Sequence, residues 1–328
     1  MFKFFQFVKG ERVGYRVMWK RLQRQGIVVP RQVVMCAMRL LRPEVAAERR
    51  KRRLHRRDYV SPGPNFAWHI DGYDKLKPFG FAIHGAIDGF SRRIIWLEVG
   101  PTNNNPQVTA LYFVRAVLQL EKAPLLVRSD RGTENVRIEL IQKSIRRNHD
   151  DEFAGEHSFL YGKSTGNQRI EAFWSILRKQ CAGYWIDMFK NMAFYGIFNM
   201  HDQVHIECLR FCFMDLIHAD LVRMAVEWNT HHIAARKNQH LRGGVPDVMY
   251  FMPETQEAED YHANICVEEL LDMETELELG EGEPPMYDPR VLDIVNEVLP
   301  DWEKPKNVES AQDLFVEIIG KVTDIDNS

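Results

Sequence analysis

The chain has 328 residues, of which 45% are hydrophobic and 27% are charged. This composition is typical of a globular protein with about two domains and enough apolar residues for a sizeable core. No apolar run approaches the length of a membrane helix, and the N-terminal MFKFFQFVKG lacks the cleavage site of a signal peptide. We therefore expect an intracellular protein without a membrane span. Five cysteines, a small and odd number, do not suggest a disulfide framework.

Charge is segregated along the chain, although the net charge is only −3. Residues 1–57 contain 17 Lys and Arg against 3 Asp and Glu, whereas residues 254–328 contain 4 against 22. A basic head predicts a polyanionic partner, and an acidic tail predicts a solvated or regulatory segment.

The basic head is predicted to form a small helical DNA-binding segment and a linker. Residues 12–24 and the run RQVVMCAMRLL carry apolar side chains at helical spacing among basic ones. Gly26 suits the end of the first helix, and Pro30 suits the first turn of the second. The pattern predicts a helix-turn-helix-like pair.

The run ERRKRRLHRR, Glu48–Arg57, has too little apolar content to be buried. Such a run serves as a solvated linker, as a nuclear-import address or as an arm that contacts phosphates. The third interpretation assigns Arg52 and Arg53 to DNA contact, and the second predicts a nuclear protein.

Residues 58–253 change from helical to strand periodicity and back, which predicts one α/β unit. The runs PNFAWHIDGY, GFAIHGAID and SRRIIWLEV predict an antiparallel meander, and PLLVRSD and HSFLYGK predict two further strands. Helical spacing covers Pro106–Glu121, Glu134–Arg147 and Asn167–Cys181, and continues to about Asn229. The predicted fold is a mixed five-stranded sheet flanked by helices.

Residues 254–328 are acidic and are interrupted by glycine and proline in GEGEPPMYDP. We expect a largely disordered tail, in which VLDIVNEVL and DLFVEIIG form two brief helices.

Three acidic residues lie at predicted strand ends or in the first turn of a predicted helix, which are common positions for catalytic groups. Asp71 ends the first predicted strand, Asp130 ends the buried fourth strand, and Glu171 lies one turn into the helix that follows the fifth. Functional groups gather beyond the carboxyl ends of strands in open α/β sheets. Magnesium prefers oxygen ligands, and two ions about 4 Å apart can activate an attacking oxygen and stabilise a leaving one. Without metal, three converging carboxylates would repel one another.

The helix that carries Glu171 has basic residues on the same face, because Ser175 and Arg178 follow at i+4 and i+7 with Lys179 beside them. A carboxylate for metal and basic groups for phosphate therefore share one side. The predicted DNA contacts near the acids are Arg131, Asn135, Gln168, Arg169, Arg178 and Lys179.

A second cluster of metal-ligand types contains His201, His205, Cys208 and Cys212. On one straight helix its outer members lie roughly 16 Å apart, too far for tetrahedral zinc with its ligands at about 2.3 Å. We interpret this cluster as a structural helix face.

The order WHIDGY, AIDGFSR, RSDRGTEN and NQRIEAFW resembles the integrase catalytic core of retroviral integrases and DDE transposases. The resemblance implies a ribonuclease H-like fold, DNA as partner, homo-oligomers and two Mg²⁺ or Mn²⁺ ions, with no nucleotide cofactor. Asp71, Asp130 and Glu171 match the metal carboxylates of the family. By the same resemblance, Asp88 belongs to a structural turn and Gly132 lets its loop pass close to the site.

The chain departs from the retroviral pattern in three respects. Forty residues separate Asp130 from Glu171, a longer spacing than in retroviral integrases; a His-His-Cys-Cys zinc motif is missing; and the acidic tail lies outside the family core. The leading hypothesis is a DNA nicking and strand-transfer enzyme. The alternative is a domesticated DNA-binding protein that keeps the fold without the chemistry. A two-carboxylate glycosidase is disfavoured, because the basic helix face suits phosphate rather than sugar.

Overall fold

A computed structural model describes residues 13–41, 61–162, 167–235, 243–279 and 285–326. Its centre is one five-stranded sheet with the order β3-β2-β1-β4-β5. The strands are β1 Ala67–Tyr73, β2 Ala82–Asp88, β3 Ile94–Gly100, β4 Leu126–Ser129 and β5 Phe159–Tyr161.

The strand pairing confirms the predicted mixed sheet. Strands β1, β2 and β3 form an antiparallel meander, whereas β4 pairs parallel to β1 and β5 pairs parallel to β4. This order places β1 in the middle, with β4 directly beside it. A short 3₁₀ helix, Asp74–Phe79, follows β1.

Helices cover the sheet on both faces. They are α1 Tyr15–Arg24, α2 Arg31–Leu41, α3 Pro106–Leu120, α4 Val136–Ile145, α5 Gln168–Leu177, α6 Gly183–Phe194, α7 Gln203–Asn229, α8 Pro246–Phe251, α9 Val267–Leu279, α10 Pro289–Val298 and α11 Val308–Asp326. Asn105 and Asp202 cap α3 and α7 by accepting hydrogen bonds from backbone N–H groups in the first turn. A π-helical turn, Arg178–Ala182, joins α5 to α6.

The alternation of side chains along the strands divides the core between the two faces. Trp68 and Ile70 of β1 lie in the cluster formed with α3, α4 and α9. Ile83 and Ile87 of β2 lie in the cluster formed with α5, α6, α7, α10 and α11. Asp71 follows Ile70 in β1 and so belongs to the α5 face, as the sequence predicted.

Helices α1 and α2 form the predicted N-terminal pair, and α1 uses basic residues to dock on the end of α7. Arg21 donates from Nε to both carboxylate oxygens of Glu227, each at 2.9 Å, and both side chains are less than a tenth exposed. Arg24 donates to Thr230 Oγ1 at 2.6 Å. These guanidinium groups therefore hold the helical pair on the core. Arg52 and Arg53 lie outside the described residues.

The expectation of a largely disordered acidic tail was wrong for the residues that the structure describes after Glu254. Helix α9 was not predicted at all, yet its Leu270 and Leu277 are buried against α3. Arg115 of α3 pairs with Glu274 and Glu278 of α9. Helices α10 and α11 bury Val295, Phe315 and Ile318 against α7. Because apolar residues recur among the acids, these helices have buried faces that the high charge concealed.

The structure also bears on the expectations about membrane helices and about the cysteines. Within the described ranges, no helix is long and apolar enough to cross a membrane. All five cysteines are free. Cys208 and Cys212 are buried in the core on α7, which agrees with the structural interpretation of that helix face.

Candidate active site

Asp71 lies near the end of the central strand β1, directly opposite Gly85 of β2. A side chain at Gly85 would lie only 2.9 Å from the ring of Trp174, so the glycine allows α5 to approach the sheet. The indole Nε1 of Trp174 then donates to Asp71 Oδ2 at 2.8 Å. This contact orients the carboxylate of Asp71.

Asp130 follows β4, whose parallel register with β1 pairs His69 with Arg128. Continuing that register by two residues places Asp130 beside Asp71 at the same end of neighbouring strands, which are about 4.8 Å apart in a sheet. Asp130 Oδ1 is buried and has no hydrogen-bond partner. A buried carboxylate oxygen without a partner is costly, and a cation would satisfy it.

Glu171 lies in the first turn of α5 and is exposed. The charges of the three acids act on one another. Burial, together with the charges of Asp130 and Glu171, raises the pKa of Asp71 to about 7, although hydrogen bonds from Trp174 and the Gly72 backbone act in the opposite direction. Burial and then the charge of Asp130 also raise the pKa of Glu171.

Three features of these residues suit a divalent cation. Their ligand atoms are carboxylate oxygens, their negative charges repel one another unless a cation lies between them, and Asp130 Oδ1 has no hydrogen-bond partner. The set is not closed, however: within the described ranges, no three His, Cys, Asp or Glu side chains are placed so that they could hold an ion. Of the three acids, Glu171 is the one whose side chain is exposed.

This arrangement of strands and acids has a counterpart among known protein families, since residues 59–250 match the family model described as Integrase core domain. The chain belongs to the integrase core domain family. Comparison with curated proteins gave no match. The match covers more than half of the chain and spans the whole sheet. The integrase core therefore has the ribonuclease H-like fold that the motifs implied.

Two structural residues of the integrase core motifs occupy their expected places. Asp88 is fully buried and accepts hydrogen bonds from the backbone of Asn65, Phe90 and Ser91. It therefore closes the β2–β3 turn, as predicted. A Cβ at Gly132 would lie 2.0 Å from a carboxylate oxygen of Glu134, so the Glu134 side chain lies close over the loop after Asp130 and would have to move if the glycine were replaced.

The prediction that Asn135 contacts DNA was wrong. Its side chain is fully buried, its Oδ1 lies 3.1 Å from His84 Nε2, and its Nδ2 donates to Ser129 Oγ at 2.8 Å. A polar side chain inside this loop is satisfied by the protein rather than by a ligand. Arg169 is also directed elsewhere, because its Nε donates to the Gly89 carbonyl at 2.8 Å, at the other end of β1 from Asp71.

Four other predicted DNA contacts lie within the described residues, and each is at least partly exposed. Arg131 and Lys179 are exposed, and Lys179 donates to Ser175 Oγ at 3.3 Å on the Glu171 face of the helix. Arg178 lies 3.9 Å from Asp187 and is partly exposed. Gln168 is half-buried in the first turn of α5. Their contact with DNA remains a prediction.

Sequence reasoning missed two residues of the site. In the sequence, Trp174 looks like part of the apolar face of its helix, but in the structure its indole N–H donates to Asp71. Glu134 lies beside Asp130, whose charge adds to the effect of burial in raising the pKa of Glu134. The signal for Glu134 was its position four residues after Asp130. No spacing rule would have revealed Trp174, because its partner is 103 residues away.

Proposed function

We propose that this protein is a metal-dependent DNA nicking and strand-transfer enzyme. The observation that carries the proposal is the β1–β4 register, which puts Asp71 and Asp130 at the same end of neighbouring strands in a chain of the integrase core family. The charge of Glu171 acts on Asp71, which supports Glu171 as the third acid. Mg²⁺ or Mn²⁺ is the proposed cofactor, as two ions held by these three carboxylates. When bound, the ions would activate an attacking oxygen and stabilise the leaving oxygen of a phosphodiester.

The protein's own groups would position the DNA around that chemistry. Arg131 follows Asp130 directly, and Lys179, in the π-helical turn after α5, is exposed and donates to Ser175, which lies one turn after Glu171. Cationic side chains on both sides of the acids would hold the backbone phosphates that flank the reacting one. The attacking group is water for nicking or a DNA 3′-hydroxyl for strand transfer. Neither reaction needs a nucleotide cofactor.

The proposal is tested by nicking of supercoiled plasmid in Mg²⁺ or Mn²⁺, with EDTA as the metal-free arm. Asp130→Asn and Glu171→Gln keep side-chain shape and remove one metal-binding charge each, so each variant should lose nicking. Asp313→Asn, which changes an exposed acid of α11, is the matched control and should keep the wild-type rate.

Metal-independent nicking, or wild-type rates in either active-site variant, would refute the proposed chemistry. Plasmid binding without nicking by the wild type would instead support the alternative of a catalytically silent DNA-binding protein. Nuclear localisation and assembly into homo-oligomers are further parts of the proposal. They rest on the basic run Glu48–Arg57 and on the family resemblance, respectively.

A further inference from the structure

A buried histidine and asparagine join β1 to the helix that carries Glu171. The ring Nδ1 of His69 lies 2.7 Å from Asn167 Oδ1, and Asn167 Nδ2 donates to the carbonyl of Ile70 at 2.8 Å. Since the amide nitrogen donates to that carbonyl, the amide oxygen is the acceptor and His69 Nδ1 is the donor. Both side chains are essentially inaccessible to solvent.

Asn167 occupies the N-cap position of α5, where asparagine ordinarily accepts a hydrogen bond from the first turn of its own helix. Here its side chain makes no capping hydrogen bond. Its backbone carbonyl accepts the first hydrogen bond of the helix, from Glu171 N at 3.2 Å, as the carbonyl of an N-cap residue normally does. Asn167 therefore contacts two parts of the site. Its side chain binds β1, the strand of Asp71, and its backbone carbonyl binds the backbone N–H of Glu171.

A second buried pair secures the loop after Asp130. His84 Nδ1 accepts from the indole of Trp96 at 3.1 Å, which leaves Nε2 as the protonated nitrogen that donates to Asn135 Oδ1 at 3.1 Å. The amide of Asn135 then donates to Ser129 Oγ, immediately before Asp130. This pair therefore connects β2 to both ends of the short loop that bears Asp130.

We propose that the pairs His69–Asn167 and His84–Asn135 are positioning clamps that hold Glu171 and Asp130 in register with Asp71 for metal binding. The inference rests on the proposed function, because it explains how its three carboxylates are positioned. The first clamp joins β1 to the start of α5, which carries Glu171. The second joins β2 to the loop that carries Asp130. A misplacement of about 1 Å in such a segment is enough to impair a catalytic constellation.

Substitution by serine separates positioning from folding. In Asn167→Ser, the shorter hydroxyl is still a good N-cap for α5 but no longer reaches His69, so the helix is kept and the clamp is lost. Asn135→Ser breaks the second clamp in the same way. Asn229→Ser is the matched control: Asn229 is also buried and exchanges two hydrogen bonds with the backbone of Ile94, but it ties α7 to the edge strand β3.

The experiment measures Mn²⁺ affinity of the full chain by isothermal titration calorimetry, urea unfolding in EDTA, and kcat and KM for nicking. We expect Asn167→Ser and Asn135→Ser to bind Mn²⁺ about tenfold more weakly or worse, with a lower kcat and an unchanged KM for DNA. Asn229→Ser should lose comparable stability and keep its Mn²⁺ affinity. His69→Gln supplies an amide donor toward Asn167 and should retain more affinity than His69→Leu.

Four outcomes would overturn the inference in whole or in part. Wild-type Mn²⁺ affinity in both clamp variants shows that the acids are positioned without the clamps. Equal weakening in Asn229→Ser shows a general loss of stability rather than positioning. A wild-type protein that binds no Mn²⁺ refutes the proposed function as well, which distinguishes failure of the function from failure of the clamps alone. If a serine variant fails to fold, the comparison of His69→Gln with His69→Leu tests the first clamp. Equal Mn²⁺ affinity in these two variants would show that the hydrogen bond between His69 and Asn167 does not position Glu171.

Discussion

Asp71→Asn should stabilise the metal-free protein while abolishing its proposed chemistry. Asp71 is largely buried, and burial together with the charges of Asp130 and Glu171 raises its pKa from 3.8 to about 7. The amide oxygen of asparagine can still accept the hydrogen bond from Trp174 Nε1. The substitution therefore removes a disfavoured negative charge and retains the contact that orients the side chain.

The magnitude follows from the pKa shift. The folded pKa lies above the unfolded one, so ionised Asp71 destabilises the fold: the cost is absent below pH 3.8, grows between about pH 4 and 7, and is complete above 7. A pKa raised from 3.8 to about 7 corresponds to a cost in folding free energy of about 4 kcal/mol at pH 8. At pH 5 the cost is smaller, about 2 kcal/mol. Solvent screening of the partly exposed group lowers these figures, so we expect a gain of about 1–4 kcal/mol at pH 8.

Urea unfolding of wild type and Asp71→Asn, in EDTA at pH 5 and pH 8, measures this gain. Adding Mn²⁺ at pH 8 should reverse the order, because a bound ion stabilises only the protein that retains its ligand. Asp313→Asn controls for the removal of one negative charge. A variant no more stable than wild type at pH 8, or a gain independent of pH, would refute the reasoning about the buried charge.

The remaining predictions concern the contacts around the core. Glu227→Gln leaves Arg21 buried beside a neutral group and should lower the free energy of unfolding by about 3–5 kcal/mol, measured in urea. The control is Glu303→Gln, which removes an exposed ion pair and should change the free energy of unfolding little. Truncation after Pro253 should lower stability and promote aggregation, seen by light scattering, since α9–α11 cover both core clusters; an equally stable, monodisperse fragment would contradict this. Trp174→Phe removes the hydrogen bond that lowers the pKa of Asp71, so the acidic limb of the pH–rate profile should move to higher pH, and an unmoved limb would exclude this role.

The sequence by itself determined the sheet and the family, and it named three acids whose role as metal ligands stays a prediction. Period-two runs and buried apolar runs have few alternatives to strands when turn residues separate them, so β1–β5 were predicted close to their observed bounds. Local pattern also placed Asp130 directly after β4, whereas Asp71, predicted to end β1, lies two residues before the end of that strand. The four motifs predicted the family, and the match over residues 59–250 shows it.

Only the tertiary structure decided which polar side chains face the site. Asn135 looked like a DNA contact because it is polar and close to Asp130 in sequence, yet it is buried against His84, 51 residues away. The helices of the acidic tail were missed for a related reason: composition averages over a helix, whereas burial depends on which face meets a neighbour. Hydrogen-bond partners and buried faces are set by contacts between segments distant in the chain, and a local pattern contains no information about those contacts.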